Sequence, residues 1–561
     1  MSQQKKTPCR REPASQLHRT ALAAALSALV CGPALAFEID TGNADLSLRW
    51  DNTVRLNYGV RTQNRDPKIA SSALADEGDY LFNKGQAVTE RIDLLSEFDL
   101  VYKRDQGLRL SATAWYDGAY SNASKSNPAL ATIPSYVNNQ FSSTVKRFYE
   151  GPSAEFLDAF AFGAVDLGAV PVRFKLGRHT IYWGESLMLG GHVHSVSYAQ
   201  SPLDLQKAFA TPGTEVKELF RPLNQLSMQA QLRDDLSISA QYLLQWQAAR
   251  YIEGGTYLGP VDFVFDGPDR QFLSAGLGFA TRGPASAPPQ RGEWGLSARW
   301  SPSALDATLG FYYRKFADKL PQVFLTKAAP NASVYDNIYA DHIDLFGVSM
   351  AKNVNGVSIG AEASMRRNTP LNSKVLGVAP GMPAPGETAG PRGDTLHALV
   401  NFVGVIPQTA LFDTASWAVE AQYSHWTKIR SGQNLFNATG FAPCVGKDKW
   451  DGCATKNYSG ISLAFTPTWF QVLPGVDLSV PYTYAMGIDG NAAVTFGGNQ
   501  GLGNYTIGLG ADVRQRFRFD LKYIQYIGHI KDNGTTVTST NGLSTYLRDR
   551  GFVALTFKTT F

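Results

Sequence analysis

Few residues of this 561-residue chain stand in spacings that chemistry requires. Gly356-Val-Ser-Ile-Gly360 spells G-x-S-x-G, the pattern that sets a nucleophilic serine on a tight strand-to-helix elbow. Here Val357 and Ile359 alternate around the serine as they do inside a strand, so Ser358 reads as a small lumen-facing residue. His192 and His194 form H-x-H within GGHVHS, which is half of a metal site; surface or lumen histidines are the expected reading. No P-loop, dinucleotide fingerprint or H-E-x-x-H occurs. The expectation is therefore no catalytic residue, no metal and no cofactor. Cys444 and Cys453, in PCVGKDKWDGC, are expected to pair as a disulfide that clips a polar loop in an oxidising compartment.

The remaining candidates are charges on alternating segments. Arg49, Arg55 and Arg61 share one parity, as do Asp93, Glu97 and Asp99; Asp117 lies on the next such segment, Arg173 on a later one, and Arg516, Arg518 and Lys522 near the end, before Lys558. If these face one lumen, a basic wall beside an acidic strip sets a transverse field that selects among charged solutes. The alternative is that they pair across neighbouring strands and hold the lumen together. A second group sits in residues 182–223: Trp183 and Glu185, then Ser201-Pro-Leu-Asp204, which predicts a Ser201 cap with Pro at the first helical position, followed by Lys207. A second helical start is expected at Thr214. Such an amphipathic insert suits either an inward-folded constriction or an extracellular loop carrying two short helices.

The elements that must position these residues are long strands. Leu46, Leu48, Trp50, Val54, Leu56, Tyr58 and Val60 alternate with polar residues for some sixteen positions, and similar runs recur to the end. Strands of a soluble sandwich usually run to about five or six residues, so this length and contrast suit a membrane barrel. Connections alternate too: short turns near 104–107, 167–171, 233–235, 301–304, 352–356, 406–415, 470–475 and 513–516, and long polar segments near 62–90, 121–155, 182–223, 247–292, 317–340, 367–394, 427–458, 487–503 and 527–548. That rhythm predicts an all-β fold: one antiparallel transmembrane barrel of about eighteen strands, sixteen being the other even count, with short periplasmic turns and long extracellular loops. The chain ends on Phe561, as terminal barrel strands do. No apolar run reaches the ~18 residues of a membrane helix, which removes helical transporters from consideration.

Residues 1–36 read as a signal peptide: Lys5, Lys6, Arg10, Arg11 and Arg19, an apolar run Ala21–Val30, and Ala34-Leu-Ala36 before Phe37. A lipoprotein site at Cys31 is disfavoured because Val30 stands where a small residue is wanted. Removing the segment takes away five basic residues and one acidic one, so the formal +4 of the whole chain leaves no net charge on residues 37–561. No nucleic-acid partner is expected.

Several segments carry a family resemblance: Trp50-Asp-Asn-Thr-Val-Arg55, Arg91-Ile-Asp-Leu-Leu-Ser-Glu-Phe-Asp99, Trp115-Tyr-Asp-Gly-Ala-Tyr120, Tyr182-Trp-Gly-Glu185 and Pro212-Gly-Thr-Glu-Val-Lys-Glu-Leu219. Over nearly the whole mature chain these resemble the proteobacterial domain-of-unknown-function family 1302. The resemblance implies a Gram-negative outer-membrane protein found beside a second exported family and efflux-type transporters. It thereby implies periplasmic or inner-membrane transport partners and traffic of hydrophobic compounds, with no catalytic residues to carry over. Outer-membrane lipids and the barrel-insertion machinery are the further expected partners. The expected function is passage of small hydrophobic or amphipathic molecules; a general or charge-selective porin, an outer-membrane esterase and a surface scaffold or adhesin are the alternatives.

Overall fold

A computed structural model describes residues 37–378 and 390–561; the signal-peptide reading falls outside them. The chain forms a closed antiparallel barrel of eighteen strands. They are β1 (Leu46–Arg61), β2 (Ala87–Tyr102), β3 (Gln106–Asp117), β4 (Ser153–Leu167), β5 (Val170–His179), β6 (Leu223–Arg233), β7 (Leu236–Leu243), β8 (Trp294–Trp300) and β9 (Thr308–Phe316). There follow β10 (Ile343–Val354), β11 (Val357–Pro370), β12 (Arg392–Ile406), β13 (Thr414–Ser431), β14 (Asn457–Leu473), β15 (Val476–Ser479 and Tyr482–Gly490), β16 (Gly503–Val513), β17 (Phe517–Ile527) and β18 (Phe552–Thr560). β15 is one strand broken at Pro481, which has no N–H to give the ladder.

Closure is made by the first and last strands, Thr53–Arg61 against Phe552–Thr560. β18 is shorter than β1, and Phe37–Ile39 pairs with Leu48–Trp50 beyond the end of β18. Every edge is therefore covered, which a barrel needs where no water can satisfy backbone groups. Both ends of the described chain lie on the short-turn side, and all nine long connections lie on the other.

Side-chain alternation sorts the two faces. Trp50, Tyr58, Leu94, Leu110, Ile507, Leu509, Phe519, Leu521 and Leu555 point outward and are 39–61% exposed, an apolar belt suited to lipid rather than water. Inward positions carry the buried polar and charged residues, among them Arg55, Asp93, Glu97, Arg314, Glu362, Arg366 and Glu420.

The largest apolar core is not in the wall. It is built mainly by the long connections, with Ile69, Phe82, Tyr136, Tyr149, Tyr257 and Val261 in one cluster. Two buried guanidiniums bind these connections together. Arg61 donates to the carbonyls of Asp79, Phe82 and Asp549 and to the Asp79 carboxylate. Arg550 donates to the carbonyls of Tyr257, Gly259 and Ala75. The long-loop end is thus a packed cap.

Cys444 and Cys453 form the expected disulfide within the connection between β13 and β14. Asn491, on the connection after β15, donates to the carbonyls of Lys449 and Cys453 and ties the clip to its neighbour. The bridge closes only nine residues of sequence separation. Cys444→Ser should therefore cost about 2–3 kcal/mol locally and leave the barrel's heat-modifiable mobility on gels unchanged. Loss of the folded band would show that the clip matters to assembly.

Candidate functional site

The connection between β5 and β6 runs through the barrel interior. It carries three short helices, α1 (Leu189–His192), α2 (Leu205–Ala210) and α3 (Val216–Leu219). Its first part is held by wall groups that recognise main chain. The Glu362 carboxylate on β11 accepts from the N–H groups of Glu185, Ser186 (3.1 Å) and Val196 (2.8 Å). The Glu420 carboxylate on β13 accepts from Leu187 (2.7 Å) and Met188 (3.1 Å). Arg314 on β9 donates to the carbonyls of Val196 (3.0 Å) and Tyr198 (2.6 Å). Arg366 on β11 donates to those of Val193 (2.7 Å) and Ser195 (3.0 Å). All four wall groups are at least 95% buried.

Glycine makes this approach possible. A Cβ on Gly184 would overlap the Glu362 carboxylate, and one on Gly191 would overlap that of Glu420. Gly184 also has φ +93°, a conformation other residues adopt at a cost.

The rest of the connection engages charges on the opposite wall. Arg55 donates to Glu218 at 2.8 Å and lies 3.6 Å from Asp93. Lys217 reaches Glu97 at 2.5 Å, and Lys558 reaches Glu215 at 3.0 Å. Asp204 caps α2 through the Lys207 N–H and pairs with Arg250 at 2.5 Å; Arg250 and Lys207 both meet Glu155 on β4. Trp183 packs its ring against Tyr312, and Glu185 accepts from the Ser349 hydroxyl at 3.1 Å. The strap from 182 to 219 is thus tied to strands all round the barrel.

Two expected caps are corrected. Ser201 is not a helix cap; Asp204 is, because the chain is still extended through the Leu203–Phe220 bridge before α2 starts. The second helix starts after Glu215, not Thr214, with Glu215 and Glu218 forming a capping box.

The other candidate charges divide by height. Arg61 lies under the cap with Asp79 and Asp549. Asp117 accepts from the Thr89 hydroxyl and the N–H groups of Glu90 and Ala119, a backbone-holding role. Asp99 pairs with Arg109 at 2.9 Å, and Arg109 also bonds Glu97. Arg49 pairs with Asp51, and Arg518 pairs with Asp520 at 2.9 Å, both towards the short-turn rim. Arg173 is near that rim on β5, opposite Ala164, and Lys522 is on β17 opposite Gly508. Arg516, expected on the strand, sits instead in the turn Arg514–Arg516, its guanidinium over the Phe517 ring. The basic wall and acidic strip are therefore largely compensated pairwise. A cavity of about 350 Å³ remains open on the short-turn side, lined by Thr466, Thr468, Asp477, Ser479, Asp512 and Arg518.

The histidines of H-x-H are buried rather than at the surface: His194 stands 3.0 Å from His397 and 2.8 Å from the Gly497 carbonyl, and His192 faces Ser197. Among the described residues no group of three or more His, Cys, Asp or Glu is placed to hold a metal. Ser358 lies inside β11, paired with Asn353 and Val403, with no helix after it.

Sequence reading missed Arg314, Glu362, Arg366 and Glu420. The signal was present for two of them: Ser358 was read as lumen-facing, and the same parity continued along the strand reaches Glu362 and Arg366.

The solved structures similar to this chain include the outer membrane protein opdK of Pseudomonas aeruginosa (11% identity, TM-score 0.40, covering 92% of this chain and 98% of that one). Others are OccAB3 of Acinetobacter baumannii (10%, 0.41, 92% and 99%) and OccD3 (OpdP) of Pseudomonas aeruginosa (10%, 0.39, 95% and 96%). Likeness at that level carries no weight for the site. No curated protein matches the chain. The family model described as "Protein of unknown function (DUF1302)" matches residues 17–561, and the chain belongs to that family.

Proposed function

We propose that this protein is an outer-membrane channel passing small amphipathic solutes, with residues 182–223 as its constriction. The observation that carries the reading is the strap itself: a closed barrel with a lipid-suited outer face has its polar interior crossed by one connection, held by wall groups on both sides. An eighteen-strand barrel is wide enough for water unless something fills it, and here the filling is a segment of the chain. Within the strap, Tyr182, Leu187, Leu189 and Val216 remain 37–68% exposed among charged neighbours. That mixture supports solutes with both apolar and polar parts. Arg55, Asp93, Glu97, Asp204 and Lys207 are read as the residues that hold the constriction in place, and Arg49, Asp99, Arg173 and Arg518 as the charged lining on the short-turn side, with Lys522 midway along β17.

In planar bilayers the purified protein should show small, discrete conductance steps. Electrical silence together with ester hydrolysis lost on replacing one serine would instead establish an enzyme. Sidedness is checked separately. With the short turns periplasmic, an epitope inserted near residue 440 should bind antibody on intact cells, and one near residue 354 only after permeabilisation. The reverse pattern would invert the topology.

A further inference from the structure

The four wall groups that hold the strap form a two-level array. Glu362 and Glu420 lie nearer the short-turn side, on β11 and β13. Arg366 is four residues further along the inward face of β11, and Arg314 is level with it through Leu345 of β10. The carboxylates take up N–H groups, the guanidiniums take up carbonyls, and nothing in the strap's side chains is read by any of them except that Arg366 lies over the Tyr198 ring. Among the described residues the one side chain bonded to the carboxylates is the Asn401 amide, 3.4 Å from Glu420.

Burying an ionisable group is expensive unless its hydrogen-bonding capacity is met. Here it is met only in part. Arg366 Nε and Nη1 and Arg314 Nε are buried without a partner. A wall evolved only to anchor a loop is served more cheaply by apolar packing or neutral amides. Two acids and two guanidiniums facing a lumen, hydrogen-bonded to the strap through its main chain, are the complement of any molecule with N–H or ammonium donors at one end and carbonyl or carboxylate oxygens at the other.

We propose that Glu362, Glu420, Arg314 and Arg366 are the solute-binding groups of the open channel, that their ligand class is amino acids and short peptides, and that the strap backbone occupies this site in the closed state. The inference rests on the channel reading above and names the substrate class for it. Ammonium or amide N–H groups of the solute replace the N–H groups of residues 185–188 and of Val196 on the carboxylates. Its carboxylate or carbonyl oxygens replace those of residues 193–198 on the guanidiniums. Solute side chains need no dedicated pocket.

The test uses the full-length protein in proteoliposomes, with glycylglycine, a zwitterion, and ribose, which carries no ionised group, as probes of similar size. Gly191→Asp sets a carboxylate against Glu420 and should release the strap. The flux of both probes should rise, with glycylglycine about tenfold ahead of ribose, the effect of one well-made hydrogen bond to a charged group. Adding Glu362→Gln and Arg366→Gln should bring the two fluxes level while ribose flux stays high, an outcome that a merely structural role would not give. Higher but equal fluxes in Gly191→Asp overturn the ligand assignment and leave the channel reading standing. Unchanged flux of both probes overturns the channel reading and the assignment with it. If Gly191→Asp does not insert, replacing residues 187–196 by a Gly-Ser linker releases the strap and carries the same comparison.

Discussion

Deleting residues 187–215 should raise single-channel conductance several-fold and admit solutes that the intact protein excludes, while the barrel still assembles. The barrel's own hydrogen-bond ladder runs strand to strand and does not include this connection. The deletion removes α1, α2 and the main-chain groups that meet Glu420, Arg314 and Arg366, and takes the Val196 N–H away from Glu362, which keeps those of Glu185 and Ser186. What remains on those walls is charged, faces the lumen and hydrates readily, so the vacated space fills with water rather than collapsing. Asp204 and Lys207 leave with the deleted segment, while Arg250 and Glu155 stay paired with each other. The measurement is conductance in planar bilayers at fixed salt, with gel heat-modifiability as the folding control. Unchanged conductance in a folded variant would place the constriction elsewhere, most directly in the 244–293 connection. Arg55→Glu and Asp93→Lys would then be the changes to follow for ion selectivity.

Raising the pH from 5 to 8.5 should loosen the loop cap and leave the barrel intact. Asp76, Glu77 and Asp79 on the first long connection meet Asp262 on the fourth and Asp549 on the last, with Arg61 and Arg550 as the guanidiniums at the centre. Arg270 lies beyond Glu77. Five carboxylates against two central cations leave an excess of buried negative charge. Burial pushes Asp76 up to about 6, Glu77 to about 7 and Asp549 to about 6, and drives Asp262 well above its ordinary range, with the neighbouring acids adding to it. Glu253, buried near Asp266 with Arg282 as its cation, goes to about 8.

These shifts are upward, so the packed cap holds protons that separated loops release. Its stability is complete below the ordinary carboxylate range and declines as pH rises through about 6 to 8. Limited proteolysis of the long connections should accelerate roughly tenfold or more across that interval, since one pKa unit corresponds to about 1.4 kcal/mol. Glu77→Gln should flatten the dependence, because the amide keeps a hydrogen-bonding group against Ser135 without the charge. Proteolysis that is slower at pH 8.5 than at pH 5 would contradict the assignment.

The strands, the eighteen-fold count and the alternation of short and long connections were legible in the sequence because each follows from a local regularity. Period-two alternation fixes which side chains face out along any strand, and turn length fixes which end of the barrel a connection occupies. Cys444 and Cys453 were legible for the same reason: they lie close together in one loop. The pairing alternative for the charges also had a local basis, since Arg55 and Asp93 occupy cross-strand positions on adjacent strands.

What alternation cannot give is which inward residue meets which loop. Glu362 and Glu420 went unread because only the closed barrel brings β11 and β13 against a segment some 170 to 230 positions earlier. The residues they bind offer only backbone N–H, which leaves no mark in side-chain pattern; the one trace is the glycine at 184 and 191, where a Cβ would collide with the carboxylates. Ser201 was misread as a cap for the related reason that capping depends on backbone direction, and the Leu203–Phe220 bridge keeps the chain extended until Asp204. The cap, too, belongs to tertiary structure alone: its apolar core is assembled from long polar connections whose few buried residues are scattered, and only the barrel rim brings those connections close enough to exclude water.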